Sequence, residues 1–184
     1  EDRAASSNGK DCLMGFLLVI PLFLIRFGLL YAVSKDALAR AARFAPLAGR
    51  EKIAYGLYQI SNVALIVFPC FLSIKLEPPC LFGAGVVVHG AGVVLLAVST
   101  VQFAHPSPSG LVDRGVYRLS RNPMYVAYFL YFAGCALLLQ SVALFVLLAV
   151  FQASAHGIIK AEERWCLATF GDAYRAYLGT VRRY

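Results

Sequence analysis

Long apolar runs separated by short polar segments dominate the hydrophobic pattern of this chain. The runs cover residues 12–33, 53–74, 81–101, 124–139 and 142–159. A helix needs about 20 mostly apolar residues to span a bilayer, so the first three runs are long enough. The last two are shorter and are separated only by Gln140 and Ser141, which predicts a tight helical hairpin. The pattern therefore predicts an all-α, multi-span membrane bundle of about five transmembrane helices.

The composition supports this prediction. Hydrophobic residues make up 60% of the 184 positions, against about 45–50% in soluble domains. The first run is longer than the apolar core of a secretory signal, which has about 7–15 residues. We therefore expect a retained membrane helix, preceded by a flexible segment at 1–11. No second domain is indicated, so 1–184 is predicted to be a single membrane domain.

Basic residues are concentrated on one side of the predicted bundle. Segments 34–52, 102–122 and 157–184 hold thirteen of the seventeen Lys and Arg residues. Five crossings place these segments on the same side, and Lys and Arg accumulate in cytoplasmic loops. We expect this face to be cytoplasmic and the N-terminus to lie outside. The formal net charge of +7 then reflects topology and attraction to anionic membrane lipid, and we expect no nucleic-acid partner.

The five cysteines do not indicate a metal site. They are Cys12, Cys70, Cys80, Cys135 and Cys166, and none of them has CxxC spacing. Four lie in or beside apolar runs, where Cys behaves as a small apolar residue. We expect no metal ion and no disulfide framework.

Unusual polar chemistry is concentrated in two segments on the expected cytoplasmic side. GLVDRGVYRLSRNPMY, at 110–125, precedes the fourth run, and HGIIKAEERWCLATFGDAYRAYLGTVRRY, at 156–184, follows the fifth. A tight hairpin starts and ends on the same side, so the two segments should be neighbours in space. Pro123 suits the first turn of a helix, which places Arg121 and Tyr125 about one turn apart.

The residues alone leave two interpretations of these segments open. Interfacial arginines and tyrosines are the ordinary membrane pattern, and Glu163 could form a surface salt bridge with Arg121 or Arg164. However, Glu162 and Glu163 lie at the end of the predicted fifth helix, where the helix dipole disfavours carboxylates. Charged groups gathered at a membrane entrance favour a ligand site. Arginine suits a carboxylate, glutamate an ammonium or a ribose diol, and tyrosine a purine or sulfonium; S-adenosylmethionine presents all of these groups.

Together the two segments resemble the integral-membrane methyltransferase superfamily, which includes isoprenylcysteine carboxyl methyltransferases and phospholipid N-methyltransferases. Its pattern is Gly-x-Tyr-x-x-x-Arg-(His or Asn)-Pro-x-Tyr, a helical hairpin, and then Glu-Glu, Phe-Gly and two spaced tyrosines. The matching positions are Gly115, Tyr117, Arg121, Asn122, Pro123, Tyr125, Glu162, Glu163, Phe170, Gly171, Tyr174 and Tyr177. The resemblance covers 111–184, and Asn122 in place of histidine leaves the subfamily open.

The resemblance implies an S-adenosylmethionine-dependent methyltransferase whose lipophilic acceptor enters from the bilayer. Residues 111–184 would form the cofactor-binding and catalytic region at the cytoplasmic face. The implied cofactor-binding residues are Tyr117, Arg121, Asn122, Pro123, Tyr125, Glu162, Glu163, Tyr174 and Tyr177, and Arg121 and Glu163 are the implied catalytic residues. The acceptor would be an isoprenylcysteine-type carboxylate, a phospholipid amine or a small thiol. Only a protonated amine needs a base, for which Glu163 or His105 is available.

Two alternative functions are consistent with the pattern. Membrane sterol reductases resemble the superfamily in their last helices but are longer and use a nicotinamide cofactor. A non-enzymatic scaffold or transport subunit would explain the helices but not the two glutamates and the tyrosines. Arg26, inside the first run, is a functional candidate as an intramembrane charge, although its side chain could also snorkel to the inner face.

Overall fold

The computed structural model describes residues 15–34, 45–49 and 51–184, and all regular secondary structure in these residues is helical. The helices are α1 (Gly15–Val33), α2 (Glu51–Val67, followed by a 3-10 turn at Phe68–Phe71), α3 (Pro79–Ala104), α4 (Pro123–Leu138), α5 (Val142–Phe170) and α6 (Asp172–Thr180). A 3-10 turn at Gly115–Arg118 precedes α4. The expected flexible segment at 1–11, Cys12 and the basic residues Lys35, Arg40, Arg43 and Arg50 lie outside the described residues.

Four of these helices are long and apolar enough to cross a membrane: α1, α2 with its 3-10 turn, α3 and α5. Helix α4 is apolar but has only 16 residues, or about 24 Å at the helical rise. The hydrocarbon core of a bilayer is about 30 Å thick. The predicted all-α fold with membrane-length helices is therefore confirmed for the described residues. The count of five crossings, and the orientation that depends on it, stay predictions.

Helices α3 and α4 touch backbone to backbone along a face of glycines. A Cβ added at Gly92 would lie 2.4 Å from the backbone of α4, and one added at Gly134 would lie 2.4 Å from the backbone of α3. No side chain fits at such distances, so these glycines permit the close approach. The close-packed face of α3 includes Gly85 and Gly92, whereas a Cβ at Gly83 or Gly90 would meet nothing within 4 Å.

Helices α4 and α5 form the predicted tight hairpin. The side chain of Ser141 caps α5 by accepting a hydrogen bond from the backbone N–H of Leu144 at 3.4 Å, as serine commonly does at helix starts. The centre of the bundle is filled by the fully buried rings of Tyr131, Phe132 and Phe151. The hairpin thus returns the chain to the end of the bundle where α4 begins.

Helix α5 is longer than the sequence pattern predicted. The apolar run ends at Ile159, but the helix continues to Phe170 because the intervening residues are mostly good helix formers. It stops at Gly171, whose φ of 55° suits glycine. Glu162 and Glu163 therefore lie two turns before the helix end. The helix dipole does not disfavour them there, contrary to the expectation from sequence, because the dipole effect is confined to the last turn.

Candidate active site

The two motif segments meet at one end of the bundle, which contains Ala104, Pro123 and Glu163 and which we call the polar end. The Nη2 atom of Arg121 lies 2.9 Å from Oε1 of Glu163, and the hydroxyl of Tyr125 donates to Oε1 of Glu162 at 3.2 Å. Pro123 occupies the first turn of α4, as predicted, and is buried. The predicted proximity of the two segments is confirmed.

Glu163 is the centre of a double ion pair. Its side chain is 10% exposed. Oε1 accepts from Nη2 of Arg121 at 2.9 Å, from Nε of Arg121 at 3.3 Å and from Nε of Arg183 at 3.0 Å, while Oε2 accepts from Nη2 of Arg183 at 2.7 Å. Charge-assisted bonds of this kind are among the strongest in proteins. Of the two pairings considered from sequence, Arg121 is present, whereas Arg164 pairs with Glu51 at 2.6 Å.

Arg121 also fastens the C-terminal part of the chain to the first motif. Its Nη1 atom donates to the carbonyl of Leu178 at 3.1 Å and to that of Val181. Its backbone N–H donates to the carbonyl of Arg182 at 2.8 Å. Together with the bonds to Glu163, these contacts leave one N–H of the guanidinium for a ligand. A planar, two-bond grip on a cofactor carboxylate, as expected from the sequence, is therefore not open to Arg121 in this arrangement.

Residues 181–184 complete this wall, and the sequence did not identify them as functional. The carbonyl of Arg183 accepts bonds from the side chains of Ser120 at 3.0 Å and Asn122 at 3.1 Å. The hydroxyl of Tyr184 lies 2.9 Å from Nδ1 of His156. Hydrogen bonding to Glu163 raises the pKa of Arg183 above its ordinary value, so its charge is fixed. The signal that could have identified Arg183 was the need of Glu163, a buried carboxylate, for more than one cation.

Three motif tyrosines pack between the 3-10 turn and α6. Tyr117, Tyr174 and Tyr177 are buried, and the hydroxyl of Tyr177 donates to the carbonyl of Tyr117. Burial raises the pKa of Tyr177 to about 12 and raises the pKa values of Tyr117 and Tyr174 as well. All three are neutral at physiological pH and hold α6 against the first motif. Their role in binding a cofactor stays a prediction.

Glu162 points away from this ion pair and into the bundle. Its neighbours come from several elements and form a polar group that we call the inner cluster. The inner cluster consists of Arg26, Tyr58, Tyr117, Tyr125, Tyr128 and Glu162, each of which interacts electrostatically with at least one other member. The ring centroid of Tyr58 is 6.4 Å from that of Tyr125 and 4.9 Å from that of Phe151. The cluster thus places one carboxylate among aromatic rings.

Sequence reasoning found only part of the inner cluster. It identified the motif residues Tyr117, Tyr125 and Glu162, left Arg26 open, and missed Tyr58 and Tyr128. Tyr128 could have been found, since it lies three residues after Tyr125 and so on the same side of α4. Tyr58 lies on α2, far from both motifs in the sequence. Its neighbours in the sequence do not mark it as a site residue.

The remaining polar candidates have other surroundings. His105 is exposed at the end of α3, where its Nδ1 bonds to the carbonyl of Val101 at 2.9 Å. His89 is half-buried, and its Nδ1 lies 3.2 Å from the carbonyl of Tyr131. Within the part of the chain that the structure describes, no three His, Cys, Asp or Glu side chains gather as a metal site requires.

A sequence profile of phospholipid methyltransferases matches residues 81–173. This is half of the chain, and it runs from α3 through α5. The chain belongs to the phospholipid methyltransferase family. The predicted resemblance is thereby confirmed, and with four membrane-length helices the family indicates a membrane methyltransferase. Helices α1 and α2 and the end of the chain, including Arg26 and Arg183, lie outside the matched residues.

No curated protein and no solved structure matches this chain. The finer functional detail therefore has to come from the geometry of the polar end of this methyltransferase.

Proposed function

We propose that this protein transfers a methyl group from S-adenosylmethionine to a phospholipid amine, or to another lipophilic acceptor, at the polar end of its bundle. The observation that carries the proposal is the different surroundings of two adjacent glutamates in a chain of the phospholipid methyltransferase family. Glu163 is neutralised by two arginines, whereas Glu162 accepts a hydrogen bond from Tyr125, whose ring lies beside that of Tyr58. The ion pairs of Glu163 therefore have a structural role at the site. The carboxylate of Glu162 is available to a ligand.

The side chains present fit the proposed cofactor. A carboxylate among aromatic rings suits a sulfonium or an ammonium cation, and Glu162 with Tyr58 and Tyr125 supplies that combination. The remaining N–H of Arg121 could donate one bond to the cofactor carboxylate. We accordingly keep the predicted binding residues, with Tyr58 and Tyr128 added. Tyr117, Asn122, Pro123, Glu163, Tyr174 and Tyr177 would form the supporting wall.

Methyl transfer mainly requires that the methyl donor and the acceptor are held in line. A bound S-adenosylmethionine supplies an electrophilic methyl group on its sulfonium. Holding donor and acceptor in line can contribute about 7–11 kcal/mol. For an amine acceptor a proton must be removed before attack, and Glu162 is better placed to accept it than Glu163, whose oxygens already accept four bonds from arginines. His105 and Glu163, the bases considered from sequence, are replaced by Glu162 in this proposal.

The location of the site follows the distribution of charge. We propose that the polar end faces the cytoplasm and that the N-terminus lies outside. Helix α5 has 29 residues, or about 43 Å, against a hydrocarbon core of about 30 Å. Glu162 therefore lies near the membrane edge, where a lipid head group could meet a water-soluble cofactor.

The test is label transfer by protein purified in neutral detergent. Methyl-labelled S-adenosylmethionine is supplied with dioleoyl phosphatidylethanolamine or with S-farnesylcysteine, and labelled lipid is extracted. We expect label in phosphatidylethanolamine, and a loss of about 100-fold or more in Glu162→Gln, the scale of acid–base assistance. Glu77→Gln, the same change in an exposed residue of the segment before α3, is the control. Folded protein that labels neither lipid but binds NADPH saturably would overturn the proposal in favour of the reductase alternative.

A further inference from the structure

An ion pair outside the two motifs fastens the start of α2 to α5. Arg164 directly follows the motif glutamates on α5, and Glu51 is the first residue of α2. Nη1 of Arg164 donates to Oε1 of Glu51 at 2.6 Å, and Nη2 donates to Oε2 at 2.8 Å. Because a guanidinium with two bonds to one carboxylate has a defined geometry, this pair fixes where α2 begins relative to α5.

Both partners of this ion pair also bind the segment that precedes α2. Nη2 of Arg164 donates to the carbonyl of Pro46 at 3.2 Å, and Oε2 of Glu51 accepts from the backbone N–H of Ala48 at 2.8 Å. The backbone N–H of Glu51 in turn donates to the carbonyl of Ala48 at 3.0 Å. Arg164, Glu51, Pro46 and Ala48 thus form one bonded group, which we call the α2 anchor.

Beyond the α2 anchor, α2 and α5 remain in contact along one face. A Cβ added at Gly157 would lie 2.9 Å from the Cβ of Ala54, and the rings of Tyr58 and Phe151 have centroids 4.9 Å apart. Glu51, Ala54 and Tyr58 have the spacing i, i+3 and i+7, which places them on the same side of a helix. The α5-facing side of α2 therefore runs from the α2 anchor to Tyr58.

Tyr58 connects this face to the proposed cofactor site. Its ring centroid lies 6.4 Å from that of Tyr125, whose hydroxyl donates to Glu162 at 3.2 Å. Tyr58 follows Glu51 by seven residues, or about 10 Å along the helix axis. Because a helix moves as one element, a shift of its first turn also displaces Tyr58 from Tyr125.

We propose that Arg164 is a positioning residue for cofactor binding. By holding Glu51, it sets the position of α2 and so places Tyr58 beside the carboxylate of Glu162. This deepens the proposed function and rests on it, since it takes the ring of Tyr58 to contact the cofactor. The side chains of Arg164 and Glu51 are 53% and 21% exposed, and exposed ion pairs usually contribute little to stability. Loss of the pair should therefore change cofactor affinity more than thermal stability.

The test is calorimetric titration of S-adenosylmethionine into detergent-purified variants, with Tm measured in parallel. We expect Arg164→Gln and Glu51→Gln each to bind about fivefold more weakly, within the range of measured pairwise couplings. Their Tm should fall by less than about 4 °C. Lys52→Gln removes an exposed charge from the next residue of α2 and should bind like the wild type. Wild-type affinity in both Arg164→Gln and Glu51→Gln overturns the proposal.

Exchange of the two partners tests whether the ion pair itself is responsible. The double variant Glu51→Arg with Arg164→Glu restores opposite charges at the same positions, although it loses the bond to the carbonyl of Pro46. It should bind S-adenosylmethionine more tightly than either Glu51→Gln or Arg164→Gln. A double variant that binds no better than these two would overturn the ion pair as the cause.

A second background tests whether the effect passes through Tyr58. In Tyr58→Leu, which lacks the ring, adding Arg164→Gln should weaken cofactor binding by no more than about a further twofold, because residues that act together are not additive. A full additional loss in that background would show that Arg164 acts through another contact and would overturn the proposal.

Hydrogen exchange without ligand separates failure of this inference from failure of the proposed function. Arg164→Gln should increase exchange in residues 51–58 and leave α3 unchanged. If the wild type binds S-adenosylmethionine, unchanged exchange and affinity in Arg164→Gln overturn this inference and leave the proposed function standing. Folded wild-type protein that binds no cofactor overturns the proposed function and the part of Arg164 in it, while faster exchange of 51–58 would still support the α2 anchor.

Discussion

Two adjacent residues of the same type have opposite surroundings at the polar end. Successive residues on a helix point about 100° apart, so Glu162 and Glu163 face different neighbours although they form a single sequence motif. Glu163 meets Arg121 and Arg183, and Glu162 meets Tyr125. The motif thus combines a structural ion pair with a ligand-facing carboxylate, and substitutions at the two positions should have different consequences.

Glu163→Gln should destabilise the protein, because it leaves Arg121 and Arg183 without their shared counter-charge. Breaking a buried pair costs about 3–5 kcal/mol, and we expect about 2–4 kcal/mol here since Arg183 is 32% exposed. For a chain of this size that corresponds to a fall in Tm of at least about 5 °C, measured by thermal unfolding in detergent. Glu162→Gln, which breaks no ion pair described at that residue, is the comparison. A Tm for Glu163→Gln equal to that of Glu162→Gln would show that the ion pair does not hold the fold.

The sequence predicted the residues of the site better than their contacts. The spacing of the two motifs was enough to bring Arg121, Tyr125, Glu162 and Glu163 together, since a tight hairpin has to return the chain to the same end. It could not separate the two glutamates, because the helix was expected to end at these two residues. Arg183 was missed since its contact with Glu163 depends on how α6 folds back.

At the scale of elements, the C-terminal segment and α6 depend on one another. Residues 181–184 follow α6 with no regular structure, yet they supply an ion pair to Glu163 and bonds to Ser120, Asn122 and Arg121. Removing them takes away most of the polar contacts that hold the end of α6 to the first motif.

Deletion of residues 181–184 should therefore loosen α6 and spare the rest of the bundle. Hydrogen exchange should show loss of protection in Asp172–Thr180 and unchanged protection in α3 and α4, because the glycine contacts between those helices are remote from the tail. Binding of S-adenosylmethionine should fall at least tenfold. Unchanged exchange of α6 in the truncated protein would mean that its tyrosines alone hold it in place.

Gly92→Ala should separate α3 from α4, because the added Cβ would lie 2.4 Å from a backbone atom of α4. Overpacking of this kind typically costs about 1–3 kcal/mol. Gly90→Ala is a matched control two residues away on the same helix, where a Cβ would meet nothing within 4 Å. It should be neutral or slightly stabilising, since alanine favours helix by up to about 1 kcal/mol. Equal Tm values for the two variants would refute the close contact.

Hydropathy predicted where the helices lie but not how each is built. The predicted third run, 81–101, agrees closely with α3, Pro79–Ala104, because a helix satisfies all the backbone hydrogen bonds of an apolar segment within that segment. The π-helical segment of α1 has no signature in an apolar pattern, and the extension of α5 lies beyond the apolar run. Both features position inner-cluster residues, so the least predictable parts of the helices are those nearest the proposed site.

At the scale of the whole molecule, the orientation of the bundle in the membrane is inferred from the sequence alone. Four helices are long enough to span, and α4 has 16 residues, so charge distribution decides which face is cytoplasmic. Cys80 is exposed at the start of α3, at the end of that helix opposite the polar end. A variant that keeps Cys80 as its single cysteine should react with a membrane-impermeant maleimide in intact cells. Reaction only after permeabilisation would reverse the orientation and move the proposed site to the outer face.

The central claim is that the polar end binds S-adenosylmethionine through Glu162, and calorimetric titration of the cofactor into detergent-purified protein tests it most directly. We predict saturable one-to-one binding by the wild type, at least tenfold weaker binding by Glu162→Gln, and wild-type binding by Glu77→Gln. Well-folded wild-type protein that shows no saturable binding, or Glu162→Gln protein that binds as tightly as the wild type, would contradict the account.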